Sequence, residues 1–304
     1  MMEVIRSGLC DLVMAQGRHG QGALGMPAGG ASDPAALAAA NALVGNAAEA
    51  AGLEITLSGP ALQFPAGATV ALTGTHFGAA RSCGASVTWN QTLVMAPGET
   101  LRIGQAESGC RCWLAIQGGF DVPEIMGSRG TCLPAGFGGY WGRPLRSGDT
   151  LEVGRQTGEV NLLRALPPAG PGADQPLYVV TGPQAAAFSD AGLVAFFTTP
   201  YRVAGASDRR GIRLAGAAIR YSGASLPSQG VCPGAIQVPP DGQPIVLGWD
   251  GPVTGGYPVI ATVIGADEAR LAQLRPGEQV RFTTLEVEQA RARAVSSWRI
   301  EELA

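Results

Sequence analysis

No lysine occurs anywhere in the 304 residues; all 21 basic side chains are arginine. This excludes a P-loop lysine, a Schiff-base lysine and a biotinylated lysine on this chain. Codon bias or chemistry can produce such a gap, and the restriction is the same: a bound carboxylate or phosphate must be held by Arg forks or backbone amides. Charge is also sparse. Charged residues make up 15%, the net charge is −3, and no basic run stands out, which argues against a nucleic-acid or polyanion surface. Histidine is limited to His19 and His76, and the cysteines at 10, 83, 110, 112, 132 and 232 form no CxxC pair, so no metal site is expected. Cys110 and Cys112 flank one strand residue and so share a face as buried, reduced thiols. No segment reaches the roughly 20 apolar residues of a membrane span. The start, "MMEVIRSGLCDLVMAQGRHG", carries Arg and Asp inside its apolar stretch and no small-residue cleavage site. A soluble, cytoplasmic protein without nucleic-acid or membrane partners is the expectation. GxSxG, HExxH, Walker and strand-to-helix GxGxxG patterns are all missing.

What is present is apolar and heavily punctuated. Hydrophobic residues reach 46%, with 45 Gly and 22 Pro. That combination predicts short elements between many turns, and the length accommodates two domains. "SDPAALAAANALVGN" reads as a short surface helix capped by Ser32 or Asp33, with Pro34 in its first turn. "GADEARLAQL" is a second helix candidate, and "SSWRIEELA" a little helix at the end. Strand signals dominate elsewhere: "LEITLSGPALQF", "ATVALTG", "ETLRIG", "CRCWLAIQGG", "DTLEVG", "PLYVVTG", "IRLAG", "AIQVPP", "PIVLGWD", "YPVIATVIG" and "EQVRF". The fold class is therefore mainly β, of barrel or sandwich type. The Pro- and Gly-rich window 165–176 is the expected linker between a first domain, 1–165, and a second, 176–304, with elements free to cross. "VALTG", "WLAIQGGFD" and "RSGDTLEV" before it match "YVVTG", "VIATVIGAD" and "RPGEQVRF" after it, in order. Duplication explains that; so does the general likeness of strands ending in Gly-Asp turns.

Five Gly-flanked polar clusters carry the candidate chemistry: "GGASD" (29–33), "GGFDVPEIMGSRG" (118–130), "GASDRRGIR" (205–213), "VPPDGQP" (238–244) and "TGGYP" (254–258). Arg129 between glycines is either a solvated turn charge or a forked cation for an anion. In "SDRRGIR", strand alternation sends Arg209 and Arg210 to opposite sides, and Asp208 with Arg209 is also readable as a local ion pair. "TGGYP" is either a hairpin turn or a ligand wall, in which Gly255 and Gly256 allow positive φ and close approach while Thr254 and Tyr257 add polar and aromatic surface. "VPPDGQP" is most simply a Pro-Asp-Gly turn. Asp33, Asp121 and Asp208 are the proton-handling candidates, ahead of the two histidines.

As an ordered set, "LGMPAGGASDPAALAAANALVGN", "LEITLSGPALQF", "GGFDVPEIMGSRGT", "SDRRGIRL", "GAIQVPPDGQPIVL" and "TGGYPVIATVIGAD" resemble the biotin-dependent carboxyltransferase family that includes the C-type component of 5-oxoprolinase and the Kip antagonist protein. The resemblance spans nearly the whole chain. It implies two cyclophilin-like β-barrel domains with a few short helices, and work in concert with two partners, a Kip-inhibitor-like B-type component and a TIM-barrel-like A-type component. The implied reaction opens 5-oxoproline to glutamate with ATP, which is shared with a partner. Alternatives are carboxyl transfer from carboxybiotin to a urea-like or amide substrate, and non-catalytic antagonism of a Kip-inhibitor-like protein. All the implied small ligands are compact anions. By the resemblance, Asp208, Arg209 and Arg129 are the catalytic candidates, and Ser128, Ser207, Gln237, Asp241, Thr254, Gly255, Gly256 and Tyr257 the substrate-binding ones. Two departures from the family pattern stand out: Val259 where a basic residue is frequent, and Asp250 to Val253 as the lead into "TGGY". Arg143 or Arg146 could supply the missing cation from another loop.

Overall fold

Binary patterning is visible along Glu99–Ala106, where Leu101 and Ile103 are buried and Arg102 is exposed. Arg111–Ile116 breaks the alternation: all six residues are buried, because both faces of its sheet are covered. The computed structural model describes residues 1–155, 161–168, 175–293 and 297–303. The chain divides into two compact units, the first formed by Met1–Arg18, Gly29–Ala169 and Ser297–Ala304, the second by His19–Ala28 and Gly170–Ser296. Segments therefore cross the sequence midpoint in both directions. Residues 169–174 of the expected linker lie outside the described residues. Its first two residues, Ala165 and Leu166, belong instead to a strand, Leu163–Leu166.

The first unit pairs two five-stranded sheets. One runs Thr150–Leu151, Met2–Arg6, Ala61–Phe64, Glu99–Ala106, Phe77–Arg81; the other Cys10–Met14, Gly52–Thr56, Arg111–Ile116, Ala68–Gly74, Thr92–Met95. Val4, Leu62, Phe64, Leu101 and Ile103 from the first meet Leu53, Ile55, Val70, Leu72 and Leu114 from the second in one buried core. The outer face of the second sheet is covered by helix α1 (Pro34–Leu43), which corrects the expectation of a surface helix. Asp33 caps it by accepting a hydrogen bond from the Ala36 N–H at 3.0 Å, and Pro34 takes the first turn. Its alanines permit close approach: Ala36 and Leu37 pack with Trp113, and Ala39, Ala40 and Leu43 with Ala71 and Ala115. Thr73 Oγ1 donates to the Ala36 carbonyl at 2.7 Å.

In the second unit eight strands form one sheet, in the order Gln279–Val280, Tyr201–Val203, Gly211–Ala215, Ile245–Leu247, Ala235–Gln237, Val259–Val263, Leu177–Thr181, Phe282–Thr284. Its two outermost strands are separated in sequence only by Arg281, so the sheet curls back toward itself as a nearly closed barrel, the arrangement that removes exposed edges. Helix α2 (Asp190–Thr198), capped by Ser189, contributes Phe196 to the barrel core. The Phe196 ring stacks on Phe282 with centroids 4.9 Å apart. Two further short helices, α3 (Glu268–Ala272) and α4 (Val287–Ala292), complete a mainly β molecule.

One further sequence reading is corrected. "SSWRIEELA" contains no described helix; Arg299–Glu302 is a strand pairing antiparallel with Leu163–Leu166. Of the thiols, Cys110, Cys112 and Cys132 are buried, whereas Cys83 and Cys232 are exposed. Burial pushes the Cys112 thiol well up. Among the described residues no helix is long and apolar enough to cross a membrane, and no three His, Cys, Asp or Glu side chains cluster as a metal site.

The internal repeat has a structural counterpart. "VALTG" lies in Ala68–Gly74, which pairs antiparallel with Arg111–Ile116; "YVVTG" runs along Leu177–Thr181 into Gly182, beside Val259–Val263. Thr73 opposes Trp113 and Thr181 opposes Ala261; because the sequence match equates Trp113 with Val259, the two registers are offset by two residues. Each following glycine abuts the carbonyl of its partner's first residue. A Cβ would lie 3.0 Å from the Arg111 oxygen at Gly74 and 2.2 Å from the Val259 oxygen at Gly182. The matching strands are paired alike in the two units, while their glycines differ: Gly74 has φ +92° and lies nearest the Trp113 ring, and Gly182 lies nearest the Val259 carbonyl.

Candidate functional site

The sequence-selected residues fall into two groups. Ser128 and Arg129 are in the first unit; Ser207, Asp208, Arg209, Gln237, Asp241 and Thr254 to Tyr257 are in the second.

In the first unit the "GSR" turn is tied down by buried polar contacts. Ser128 is buried; its hydroxyl donates to the Gln16 carbonyl at 2.5 Å and accepts from the Gly130 N–H at 3.0 Å. Arg18, also buried, donates to the Ile125 carbonyl at 3.2 Å and to the Gly130 carbonyl, with its guanidinium over the Phe137 ring. Sequence reading missed Arg18, whose only signal was its place among glycines. Arg129 donates to the Val122 carbonyl and lies 3.9 Å from the Glu124 carboxylate, with its side chain 40% exposed. Arg143 is bound bidentately by Asp149, both contacts at 2.8 Å, and this pairing holds the Asp149 carboxyl below its usual range.

In the second unit the "SDRRG" cluster folds on itself between Tyr201–Val203 and Gly211–Ala215. Asp208 Oδ1 accepts from the N–H groups of Arg210 and Gly211 at 2.8 and 3.1 Å, an Asx turn. Ser207 Oγ accepts from the Arg213 N–H at 3.0 Å and donates to the Ala204 carbonyl at 2.8 Å. Arg209 is buried. Its fork meets Asp250 through Nε to Oδ2 at 2.9 Å and Nη2 to Oδ1 at 3.2 Å. The local Asp208–Arg209 pair is thus corrected to an Arg209–Asp250 pair, and the altered lead into "TGGY" supplies the carboxylate.

Three of the remaining residues, Asp241, Gly256 and Tyr257, border a cleft of about 860 Å³, a size usual for small-molecule sites. One side is the segment from Ala218 to Leu226, another the turn from Val238 to Gly242, a third Gly256 to Pro258. Asp241, Gly256 and Tyr257 line it; Asp208, Arg209, Gln237, Thr254 and Gly255 are not among its lining residues. Asp241 Oδ1 accepts from the Gln243 N–H at 3.0 Å, as the Pro-Asp-Gly turn requires, and Gly242 adopts φ +75°. Thr254–Gly255 pairs with Gln229–Gly230 in a two-stranded ribbon, so both readings of "TGGYP" hold in part: its first half is β-structure, its second half cleft wall. Positive φ is not what the glycines provide, since neither Gly255 nor Gly256 adopts it. Gly255 is needed for close packing: a Cβ there would lie 2.5 Å from Gln237 Nε2. Buried Gln237 holds the motif from beneath by donating to the Tyr257 carbonyl at 3.4 Å.

The third wall went unnoticed in the sequence because "IRYSGASLPS" carries no periodicity and no paired charges. It supplies Arg220, Tyr221, Ser222 and Ser225 to the cleft. Tyr221 is fixed by an edge contact with Phe188, ring centroids 5.3 Å apart. Arg220 is the one cation among the lining residues and is exposed, and Tyr257 is 46% exposed. Arginine, two phenols, two hydroxyls and apolar Val238, Pro239 and Leu226 make a surface suited to a compact, flat organic anion.

Comparison with known proteins agrees with this architecture. The sequence profile described as "Carboxyltransferase domain, subdomain A and B" matches residues 24–284. The C-type component of 5-oxoprolinase from Escherichia coli K12 is 38% identical over the whole of this chain and 98% of its own length. The urea amidolyase of Saccharomyces cerevisiae is 31% identical over 91% of this chain, which covers 16% of that enzyme. The crystal structure of Kluyveromyces lactis urea carboxylase superposes with a TM-score of 0.86 at 29% identity, covering 95% of this chain and 28% of that one. A match of this extent in sequence and in fold means that the chain belongs to the carboxyltransferase-domain family built from subdomains A and B.

Proposed function

We propose that this protein is the C-type component of an ATP-dependent 5-oxoprolinase, and that the cleft of the second unit binds the lactam substrate. The observation that carries this reading is the cleft's lining, an exposed guanidinium beside two phenols and apolar walls, in a chain alike over its full length to a protein named as the C-type component of 5-oxoprolinase. Arg220 grips the substrate carboxylate; Tyr221 and Tyr257 flank the flat ring; Asp241 accepts the lactam N–H. These roles replace those expected of Arg209, Asp208 and Arg129, which are engaged in structural contacts.

A nucleoside triphosphate does not fit this lining. One guanidinium opposes a polyanion, Asp241 adds negative charge, and the chain has no lysine. ATP handling therefore falls to a partner, in this reading the Kip-inhibitor-like B-type component, with the TIM-barrel-like A-type component completing hydrolysis. The matches to urea amidolyase and urea carboxylase favour a second reading, carboxyl transfer from a biotin carried on another polypeptide. The apolar and phenolic walls are compatible with a ureido ring, and biotin would supply the carboxyl group there.

The test reconstitutes the chain with candidate A-type and B-type partners and follows ADP and glutamate formation from ATP and 5-oxoproline, omitting each component in turn. Arg220→Ala is expected to raise KM at least about tenfold, the loss of one charge-assisted hydrogen-bond pair, while leaving thermal stability unchanged. Turnover that persists when this chain is left out would overturn the assignment. A stable complex without turnover would leave carboxyl transfer, tested with carboxybiotin, or simple antagonism of the Kip-inhibitor-like partner.

A further inference from the structure

One segment of the cleft wall differs from the rest in how it is held. At its start, Ile219 N–H donates to the Gly242 carbonyl at 3.0 Å, Ser189 N–H to the Arg220 carbonyl at 3.3 Å, and Ser222 N–H to the Ala187 carbonyl at 3.0 Å. At its end, Gln229–Gly230 is paired with Thr254–Gly255, and the Gln229 side chain accepts from Gln184 Nε2 at 3.2 Å. Between these anchors, among the described residues, no hydrogen bond fastens Gly223, Ala224, Ser225, Leu226, Pro227 or Ser228. The stretch has no secondary structure, and all of it is exposed except half-buried Leu226. Backbone fixed at both ends and unfastened between them opens at low free-energy cost.

This stretch also lines the cleft, through Gly223 to Leu226, opposite the "TGGYP" wall. At Gly256 of that wall a Cβ would meet the Leu226 carbonyl at 3.6 Å and nothing else within 4 Å. Among the described residues no hydrogen bond joins the stretch to that wall. Gly223 rests against the Tyr221 phenol, a Cβ there lying 2.3 Å from its oxygen, so the unfastened run begins where the aromatic wall ends.

We propose that Gly223–Ser228 is a strap that closes over the occupied cleft, with hinges at Ser222 and Gln229 and with Leu226 as the residue that covers the ligand and excludes water. The proposal rests on the cleft being the substrate site. It assigns Leu226 a positioning role: closure stacks an aliphatic side chain against the ring held by Tyr257 and limits the cleft to compact ligands.

Amide hydrogen exchange tests it in two arms. In the free chain, the amides of Gly223 to Leu226 and Ser228 should exchange at least about tenfold faster than those of Ile219 and Gly242, which donate within the fold. Equal protection across the whole wall would overturn the strap whatever the ligand. In the reconstituted complex, saturating 5-oxoproline should slow exchange in the strap together with Tyr257. Protection at Gly256 and Tyr257 without protection of the strap would overturn closure and leave the cleft assignment standing. Turnover with no protection anywhere along the lining would overturn the cleft and the strap together. Absence of turnover would sink the functional reading alone, and the free-chain arm would then decide the strap.

Discussion

At the level of single residues, the arginine most attractive in the sequence is the one most committed to the fold. Arg209 and Asp250 are both buried, at 5% and 2% exposure, and pair through two contacts. Desolvating two charges is costly, and removing one partner leaves the other uncompensated in a low-dielectric site. Arg209→Ala should therefore cost about 3–5 kcal/mol of stability, read as a fall in urea midpoint, and any loss of activity would follow from unfolding. Asp250→Ala should do the same, and the double replacement Arg209→Met with Asp250→Leu should recover most of the loss. A soluble, normally stable Arg209→Ala protein with no turnover would instead return this side chain to the chemistry. "SDR" could not reveal this, because the partner lies 41 residues away and only the fold joins them.

At the level of elements, legibility followed the reach of the interactions. Strands bounded by glycine and proline were visible because their signal is local: "ATVALTG" and "YPVIATVIG" are strands near the expected places. "SSWRIEELA" misled because Glu, Leu and Ala favour helices, whereas pairing with Leu163–Leu166, far away in sequence, overrides that preference. Helix α2 was invisible for the opposite reason, its aromatic and β-branched residues being poor helix signals until Phe196 finds the barrel core. The candidate site was half legible: "VPPDGQP" and "TGGYP" announced two walls, and the irregular third had no pattern to announce. Within "TGGYP" the two glycines have different duties. Gly255→Ala forces a methyl group against buried Gln237 and should destabilise by about 1–3 kcal/mol through loss of the Gln237–Tyr257 contact. Gly256→Ala meets only the Leu226 carbonyl at ordinary distance and should be neutral or stabilising by up to about 1 kcal/mol. Paired thermal melts check this, and equal losses at the two positions would contradict it.

For the molecule as a whole, two buried carboxyls in the first unit give stability opposite dependences on pH. Glu99 is bound by Arg81 through two contacts of 2.7 Å, and this bonding lowers its pKa from 4.5 to about 2. Its contribution is present above the unfolded value and fades as pH falls through the folded one. Asp11 is the reverse case. Fully buried, with Oδ2 accepting from the Gly8 N–H at 2.5 Å and no partner for Oδ1 among the described residues, it is pushed by desolvation from 3.8 up to about 7, against the lowering effects of the Gly8 hydrogen bond and of Arg6. Between those values the folded chain holds a proton that the unfolded chain has released, so stability falls as pH rises, by up to about 4 kcal/mol in all. Above the folded value both states are ionised and the decline stops. Asp11→Asn keeps an acceptor for Gly8 and cannot ionise, so its denaturation midpoint should lose the downward slope between pH 4 and pH 7 and exceed that of the parent at pH 8. An unchanged slope in the variant would mean that Asp11 is already ionised in the folded chain at neutral pH, stabilised by a contact beyond Gly8 and Arg6.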